Sequence, residues 1–123
     1  WELMYLGYDK NEKRLKGKQR FYQVLSALKL LKWNQIMVKN LYPKRISKHI
    51  SISGFHDMTH AFAVTNKGAE KLLKLQTPVS FTADNALSYA VKNELIKAYI
   101  CHPKIFHQEL TVNPETYRSL IHQ

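Results

Sequence analysis

Histidine, aspartate and cysteine are the side chains of this chain whose types and spacing could support catalysis or metal binding. His56 and His60 are four residues apart, a spacing at which two imidazoles on one helix can share a zinc ion. Gly54 and the strand-like run after His60 predict that this segment is not one helix, and no third ligand lies at a suitable spacing. The pattern therefore disfavours a zinc protease. His60 keeps two interpretations, a polar active-site residue or a hydrogen-bonded histidine at a strand end.

Asp84 is the carboxylate with the strongest case for a catalytic role. It stands at the head of a run from Asn85 to Val91 that has the pattern of a short helix. An aspartate before a helix is commonly an N-cap, bonded to a backbone N–H of the first turn. Residues at helix heads also face clefts. A capping role and a cleft role both remain open from the sequence.

Cys101 is the single cysteine, so the chain has no disulfide framework and suits a reducing compartment. His102 follows it directly, but neighbours in a strand point to opposite faces, which favours a core cysteine over a nucleophile. The four glycines are far apart, so no phosphate-binding glycine loop is present, and there is no Gly-x-Ser-x-Gly motif. These residues alone do not assemble a self-contained enzyme.

The charge of +10 comes from 19 Lys and Arg against 9 Asp and Glu. Such a balance favours anionic partners, namely nucleic acid, an anionic membrane surface or phosphorylated substrates. Most of the cations are Lys, and the aromatic residues do not interleave with Arg, which disfavours a nucleic-acid reader. The segment Tyr8–Arg20 is either a solvated loop or a contact surface for phosphates or lipid headgroups.

The length of 123 residues and the apolar content of 45% predict one small α/β domain over residues 1–123. The first strand is almost continuously apolar, as in strands of a parallel sheet that are buried on both faces. The helix over 21–33 is basic and amphipathic, and it either packs on its own domain or lies in a membrane interface. The patterns predict strands over 1–7, 35–39, 49–53, 60–65 and 95–101, and helices over 21–33, from an Asn66 cap to Pro78, over 84–91 and over 115–121.

The central stretch of the chain resembles glycosyltransferase family 25, which includes bacterial lipooligosaccharide galactosyltransferases and the collagen galactosyltransferases. The opening strand is similar to the family's Trp-Asp-x-x-x-Leu-Gly strand. The resemblance covers about residues 1–8 and 56–108, and Phe62 departs from the family's usual Tyr. The matching positions are the strand 60–65, the pair Gly68-Ala69, the pair Leu72-Leu73, Pro78, Asp84, Tyr99, Pro103 and Gln108.

The resemblance implies the C-terminal, acceptor-side portion of a GT-A-like fold, with short strands alternating with helices. The chain begins at Trp1 rather than at a methionine, so we expect a piece of a longer enzyme. The implied activity is transfer of a hexose from a nucleotide sugar, a UDP-hexose, to a glycan or lipid-linked glycan acceptor. This belongs to lipopolysaccharide or cell-surface polysaccharide synthesis in the bacterial cytoplasm, with a peripheral contact to an anionic inner membrane left open.

The resemblance also implies site residues. Asp84 is the expected general base or acceptor-holding carboxylate, and His60, His56 and Thr65 are the expected substrate-binding residues. The family's acidic motif for Mn or Mg lies upstream of the Trp-containing strand, so the metal ligands are expected outside this chain. The alternatives are a non-catalytic basic α/β domain that binds nucleic acid or anionic surfaces, and a relic that keeps the fold without the donor site.

Overall fold

A computed structural model describes residues 1–9, 11 and 13–107, with only the backbone of Asp57 and Met58. The predicted helix over 115–121 and Gln108 lie outside these residues. The described elements are β1 (Leu3–Asp9), α1 (Lys16–Ala27), α2 (Gln35–Lys39), β2 (Lys44–Arg45), β3 (Ile50–Ile52), β4 (Asp57–Val64), α3 (Asn66–Leu75), α4 (Ala83–Lys92) and β5 (Ala98–Cys101).

The strands form one mixed sheet in the order β2-β3-β5-β1-β4, which confirms the predicted α/β class. β1 is parallel to β5 and antiparallel to β4, and β3 is antiparallel to both β5 and β2. β1, β5 and β2 therefore run in the same direction, and their carboxyl ends lie at one edge of the sheet. The expectation of a strand buried on both faces is only half met, because Met4 and Leu6 on the second face of β1 are half-buried.

Three local predictions need correction. The strand predicted over 35–39 is the helix α2, because the Asn34 side chain accepts a hydrogen bond from the Met37 N–H at 2.9 Å and caps a helix there. The helix predicted over 21–33 is α1, which starts earlier and ends at Ala27, and Lys29 adopts the left-handed conformation that stops it.

The third correction concerns the caps of the last two helices. Thr65 rather than Asn66 caps α3, since its Oγ1 accepts the Gly68 N–H at 3.2 Å. The N-cap position of α4 belongs to Thr82, and Asp84 lies inside the first turn. The capping interpretation of Asp84 is therefore wrong, which leaves its carboxylate without that role.

The core lies between one face of the sheet and α4. Leu3 and Tyr5 alternate with Met4 along β1 and so share the face that α4 covers, where both are fully buried. The remaining members of the core are Tyr8, Leu87, Ala90, Val91, Ile96, Ala98 and Ile100. α3 adds partly buried leucines at the border of this cluster.

Glu2 connects β1 with the helix after β4 and with the loop before β5. It is only 6% exposed. Its carboxylate lies 2.8 Å from the Lys71 ammonium and accepts the Lys97 N–H at 2.9 Å, while its backbone carbonyl accepts the Thr65 N–H at 3.1 Å. The hydrogen bond from Lys71 and then that from the Lys97 backbone lower the pKa of Glu2 below its ordinary value.

A lowered folded-state pKa makes the contribution of Glu2 to stability dependent on pH. The contribution is present above the ordinary value of 4.5 and is lost as the pH falls through the folded-state pKa. We expect Glu2→Gln to lower the denaturant midpoint of unfolding at pH 7. The difference in midpoint between the variant and the parent protein should disappear as the pH falls below 4.5, the ordinary pKa of Glu. Denaturant unfolding across this pH range measures it, with the exposed Glu70→Gln as control. A gap of equal size at acid and neutral pH would contradict the assignment.

Gly68 allows α3 to lie directly on the start of β1. A Cβ at this position would collide with the Glu2 carbonyl oxygen and would come within 2.9 Å of Val64 Cγ2. A backbone atom cannot move aside as the end of a side chain can. Close backbone approach is therefore the reason for a glycine in this first helical turn.

Gly68→Ala should destabilise the fold by ~1–3 kcal/mol, because a methyl group must be forced into a filled contact. Gly17→Ala in α1 is the matched control, since nothing lies within 4 Å of a Cβ there. That change should be neutral or should stabilise the helix by up to about 1 kcal/mol. Chemical denaturation of both variants provides the comparison, and equal effects would show that α3 does not approach β1 this closely.

Candidate functional site

The sequence-predicted site residues lie in different surroundings. His56 packs against the Tyr5 ring on the core side of the sheet, and Asp84 lies in the first turn of α4. His60 lies on the edge strand β4, and Thr65 lies at the start of α3. The four residues therefore lie on different elements of the fold.

His56 is a fully buried residue packed between aromatic rings. Its ring centroid is 4.4 Å from that of Tyr8 and 5.4 Å from that of Tyr5. Its Nε2 accepts a hydrogen bond from the Gly54 N–H at 3.3 Å, so this nitrogen carries no proton. Ser88 on α4 donates to the His56 carbonyl at 2.8 Å. These contacts join the start of β4 to α4, and a substrate-binding role for His56 stays a prediction.

Asp84 places a half-buried carboxylate in the first turn of α4. Within the described part of the chain, no hydrogen bond or ion pair to this carboxylate is present. The Tyr5 hydroxyl is buried and has no hydrogen-bond partner among the same residues. Burial raises the pKa of Tyr5, and the charge of Asp84 raises it further, so the phenol stays protonated.

His60 owes its position to Gly7 on the neighbouring strand. A Cβ on Gly7 would lie 2.6 Å from His60 Nε2, so no other residue type fits beside the imidazole. The same Nε2 lies 3.2 Å from the Phe106 carbonyl oxygen. The hydrogen-bonded strand histidine is therefore one role that the geometry supports. Thr65 already uses its hydroxyl oxygen to cap α3, and a ligand would need the remaining hydrogen-bonding capacity of that group.

A cleft rich in cations lies where the parallel strands β2 and β5 end. Ligands of open α/β sheets typically bind at the carboxyl ends of parallel strands. The cleft has a volume of about 440 Å³, and none of the described residues that line it is acidic. We call it the basic pocket, and it is lined by Lys13, Arg14, Pro43, Lys44, Arg45, Ser51 and His102.

Backbone and side-chain acceptors hold the arginines of the basic pocket. Arg45 donates from Nε to the Ser47 carbonyl at 3.0 Å and from a terminal nitrogen to the Lys48 carbonyl at 2.9 Å. Arg14 donates from Nε to Gln19 Oε1 at 2.9 Å. A guanidinium fixed through some of its N–H groups presents the others in a defined direction. Such pre-orientation lowers the entropic cost of binding an anion.

Ser51 and His102 form the polar floor of the basic pocket. The Ser51 hydroxyl lies 2.9 Å from His102 Nε2. Ser51 is 3% exposed, too buried for a nucleophile that must reach a substrate, so the pair serves as hydrogen-bonding structure. The strand register places Ser51, Ile100 and Tyr5 in one row on the helix-covered face of the sheet. Two strand spacings, about 10 Å, therefore separate the pocket floor from Tyr5.

Positive charge is concentrated around Lys44. Burial lowers the pKa of Lys44, and the nearby charges of Lys39 and Arg14 lower it further, although the carboxylate of Glu94 partly opposes them. An anion in the basic pocket would offset this repulsion, so the arrangement favours a negatively charged ligand. Of the two interpretations of Tyr8–Arg20, the phosphate contact fits Lys13 and Arg14 at the pocket wall.

Sequence reasoning missed the contributions of Lys44, Arg45, Ser51 and His102. The only local signal is the basic pair directly after the Tyr42-Pro43 turn. Their meeting depends on the pairing of β2 with β3 and of β3 with β5, which joins segments about fifty residues apart. Such long-range pairing leaves no periodic trace in a single sequence.

Within the described part of the chain, no group of three or more His, Cys, Asp or Glu side chains could hold a metal ion. The metal ligands that the resemblance implies are expected upstream of this chain. None of the described helices is both long and apolar enough to cross a membrane.

Comparisons of the chain with protein-family models, with curated proteins and with solved structures find no match.

Proposed function

We propose that this chain is the acceptor-side part of a GT-A-type glycosyltransferase that moves a hexose from a nucleotide sugar to a glycan acceptor. The observation that carries the proposal is the Asp84 carboxylate, half-buried at the head of α4 and uncommitted within the described chain. The resemblance to glycosyltransferase family 25 at Trp1–Gly7 and at 60–84 supports it. The mixed α/β sheet is compatible with the proposed fold.

The reaction requires a base on the acceptor side. In an inverting transfer the acceptor hydroxyl oxygen attacks the anomeric carbon, and the bond from that carbon to the diphosphate oxygen breaks. The leaving diphosphate takes the electron pair, and Asp84 takes the proton of the hydroxyl. His60, His56 and Thr65 remain proposed substrate-binding residues, and a Mn or Mg ion belongs to the expected upstream part.

Asp84→Asn in the full-length protein should lower turnover by about 10²–10⁴-fold, because the amide cannot accept the proton. Since Asp84 does not cap α4, the thermal unfolding midpoint of the variant should stay close to that of the parent protein. Initial rates of sugar release from the nucleotide sugar, with and without acceptor, provide the measurement. Turnover within about threefold of the parent would show that Asp84 is not the base.

A second candidate is a binding domain without catalysis, and the basic pocket is the observation that favours it. Four cationic side chains converge on about 440 Å³, and none of the described lining residues is acidic. A pocket of this size accommodates a phosphate or diphosphate group. The same pocket can hold the phosphate of a glycosyltransferase substrate, so both candidate functions predict anion binding. Only the glycosyltransferase predicts turnover of a nucleotide sugar.

Pyrophosphate should bind the intact protein through the basic pocket, and Arg14→Gln combined with Arg45→Gln should weaken binding at least about tenfold, because charge-assisted bonds are lost. Lys74→Gln on the exposed side of α3 removes the same kind of charge elsewhere and should change little. Isothermal titration calorimetry measures both. A different result would favour a diffuse nucleic-acid surface instead. That result is tight, steeply salt-dependent binding of generic RNA whose affinity is the same for the double arginine variant and for Lys74→Gln.

A further inference from the structure

α1 has its apolar side facing outward. Phe21, Val24 and Leu28 recur at the spacing of one helix face, and we call them the apolar stripe. Their exposed fractions are 60%, 58% and 62%. Leu28 lies just beyond Ala27, where the helix ends. One interpretation of the sequence was a helix that packs its apolar face on its own domain. Phe21, Val24 and Leu28 do not fit that interpretation, because all three are exposed.

The opposite side of α1 is polar and attaches the helix to the rest of the domain. Gln19 is 2% exposed and donates to the carbonyls of Val38 and Lys39 at 3.1 and 2.9 Å. Ser26 donates to the Trp33 carbonyl at 2.8 Å. Specific hydrogen bonds therefore fix the orientation of α1, and rotation of the helix to bury the stripe would break them. The outward orientation is built into the packing of α1 on α2.

Further large apolar side chains lie before and after α1 in the chain, and each is substantially exposed, unlike Leu87 of α4 in the core. They are Leu15, Leu30, Trp33 and Ile36. Exposed apolar side chains that are rimmed by polar residues are typical of an interaction site.

The charge around the stripe has one sign. The segment 13–56 contains 11 Lys and Arg and no Asp or Glu. Lys16, Lys18 and Arg20 lie on α1 itself, and Lys29 and Lys32 follow it, all of them exposed. A partner for this surface must accept apolar side chains at its centre and supply negative charge around them.

We propose that the apolar stripe of α1 and its surrounding lysines bind the surface of an anionic lipid bilayer. Helices in a bilayer interface combine an apolar face with Lys and Arg on the borders, and interfacial tryptophans such as Trp33 accompany them. Protein interfaces are depleted in Lys, whereas anionic headgroups attract each Lys and Arg near the surface. The charge complementarity therefore selects the bilayer over a protein partner. The inference does not depend on the proposed glycosyl transfer.

Vesicle co-sedimentation of the intact protein tests this surface. We expect binding to vesicles of phosphatidylcholine with about 30% phosphatidylglycerol, weaker binding at higher salt, and little binding to phosphatidylcholine alone. Phe21→Gln combined with Leu28→Gln should lower the partition coefficient at least about tenfold, because two apolar side chains no longer enter the interface. Both side chains are exposed, so the fold should tolerate the change.

Leu73→Gln is the matched control for the apolar variant. Leu73 lies on α3 and is 69% exposed, so it is at least as accessible as the stripe. Its substitution should leave vesicle binding unchanged. Lys18→Gln combined with Lys29→Gln should weaken binding to anionic vesicles, whereas Lys74→Gln should not.

Trp33 supplies a second readout at the edge of the surface. The chain has two tryptophans, Trp1 and Trp33, so Trp1→Phe leaves Trp33 as the only one. Its fluorescence should shift to shorter wavelength with anionic vesicles and stay unchanged with phosphatidylcholine vesicles. A binding event without this shift would place the contact elsewhere on the molecule.

Three outcomes would overturn the proposal. One is an absence of binding to anionic vesicles, and another is binding that the stripe variant leaves unchanged. The third is that the protein does not bind vesicles but self-associates with rising concentration, and that Phe21→Gln abolishes this self-association. The stripe would then be an interface between two copies of the chain. Sedimentation velocity without lipid distinguishes that last case.

Discussion

The buried carboxylate of Glu2 is the constraint on which the position of the proposed site depends. It joins the start of β1 to Lys71 on α3 and to the backbone before β5, and Gly68 lets α3 lie against the same residue. Breaking a buried charge network by removing one partner is costly, because the other groups lose their compensation. The placement of α3 is therefore fixed at its first turn, before any packing of its leucines is considered.

The position of α3 also determines the position of Asp84, because only a short loop connects α3 to α4. Gln76, at the end of α3, accepts the N–H groups of Ser80 and Phe81 and donates to the Phe81 carbonyl. Phe81 in turn stacks on Tyr89 of α4 at 4.9 Å between ring centroids. The Gln76 side chain thus holds the loop between α3 and α4 by hydrogen bonds, and the pair of Phe81 and Tyr89 packs this loop against α4. These contacts position the first turn of α4, and within the described part of the chain the Asp84 carboxylate makes no hydrogen bond of its own.

The features of this fold that the sequence predicts depend on interactions between residues close together in the chain. The main feature that it does not predict, the basic pocket, depends on contacts between residues far apart in the chain. β1, β3, β4 and β5 and helices α3 and α4 follow from apolar patterns and turn residues within the segment, and the structure confirms them. The strand predicted over 35–39 is wrong because a run of three apolar residues fits a strand or a helix equally well. The hydrogen bond that the Asn34 side chain accepts from the Met37 N–H decides for the helix.

The basic pocket could not be predicted, because Arg45 and His102 meet only through the order of the strands. The buried side of α1 was missed for a different reason. Amphipathic reasoning assigns the apolar face to the core, whereas here Gln19 is the buried residue and the stripe is exposed. A buried glutamine with two backbone acceptors satisfies its hydrogen bonds at the domain side and leaves the apolar side for another environment.

Gln19 also links the two surfaces proposed for the basic half of the chain. Its side-chain oxygen accepts the Arg14 N–H at the wall of the basic pocket, while its amide nitrogen fixes α1 with the stripe outward. The pocket wall therefore lies at the start of the helix whose exposed face we assign to the bilayer. α1 has 12 residues and is about 18 Å long, so the pocket and the far end of the stripe are one helix length apart. The two proposed surfaces are therefore joined through one helix, and the hydrogen bonds of a single side chain orient both.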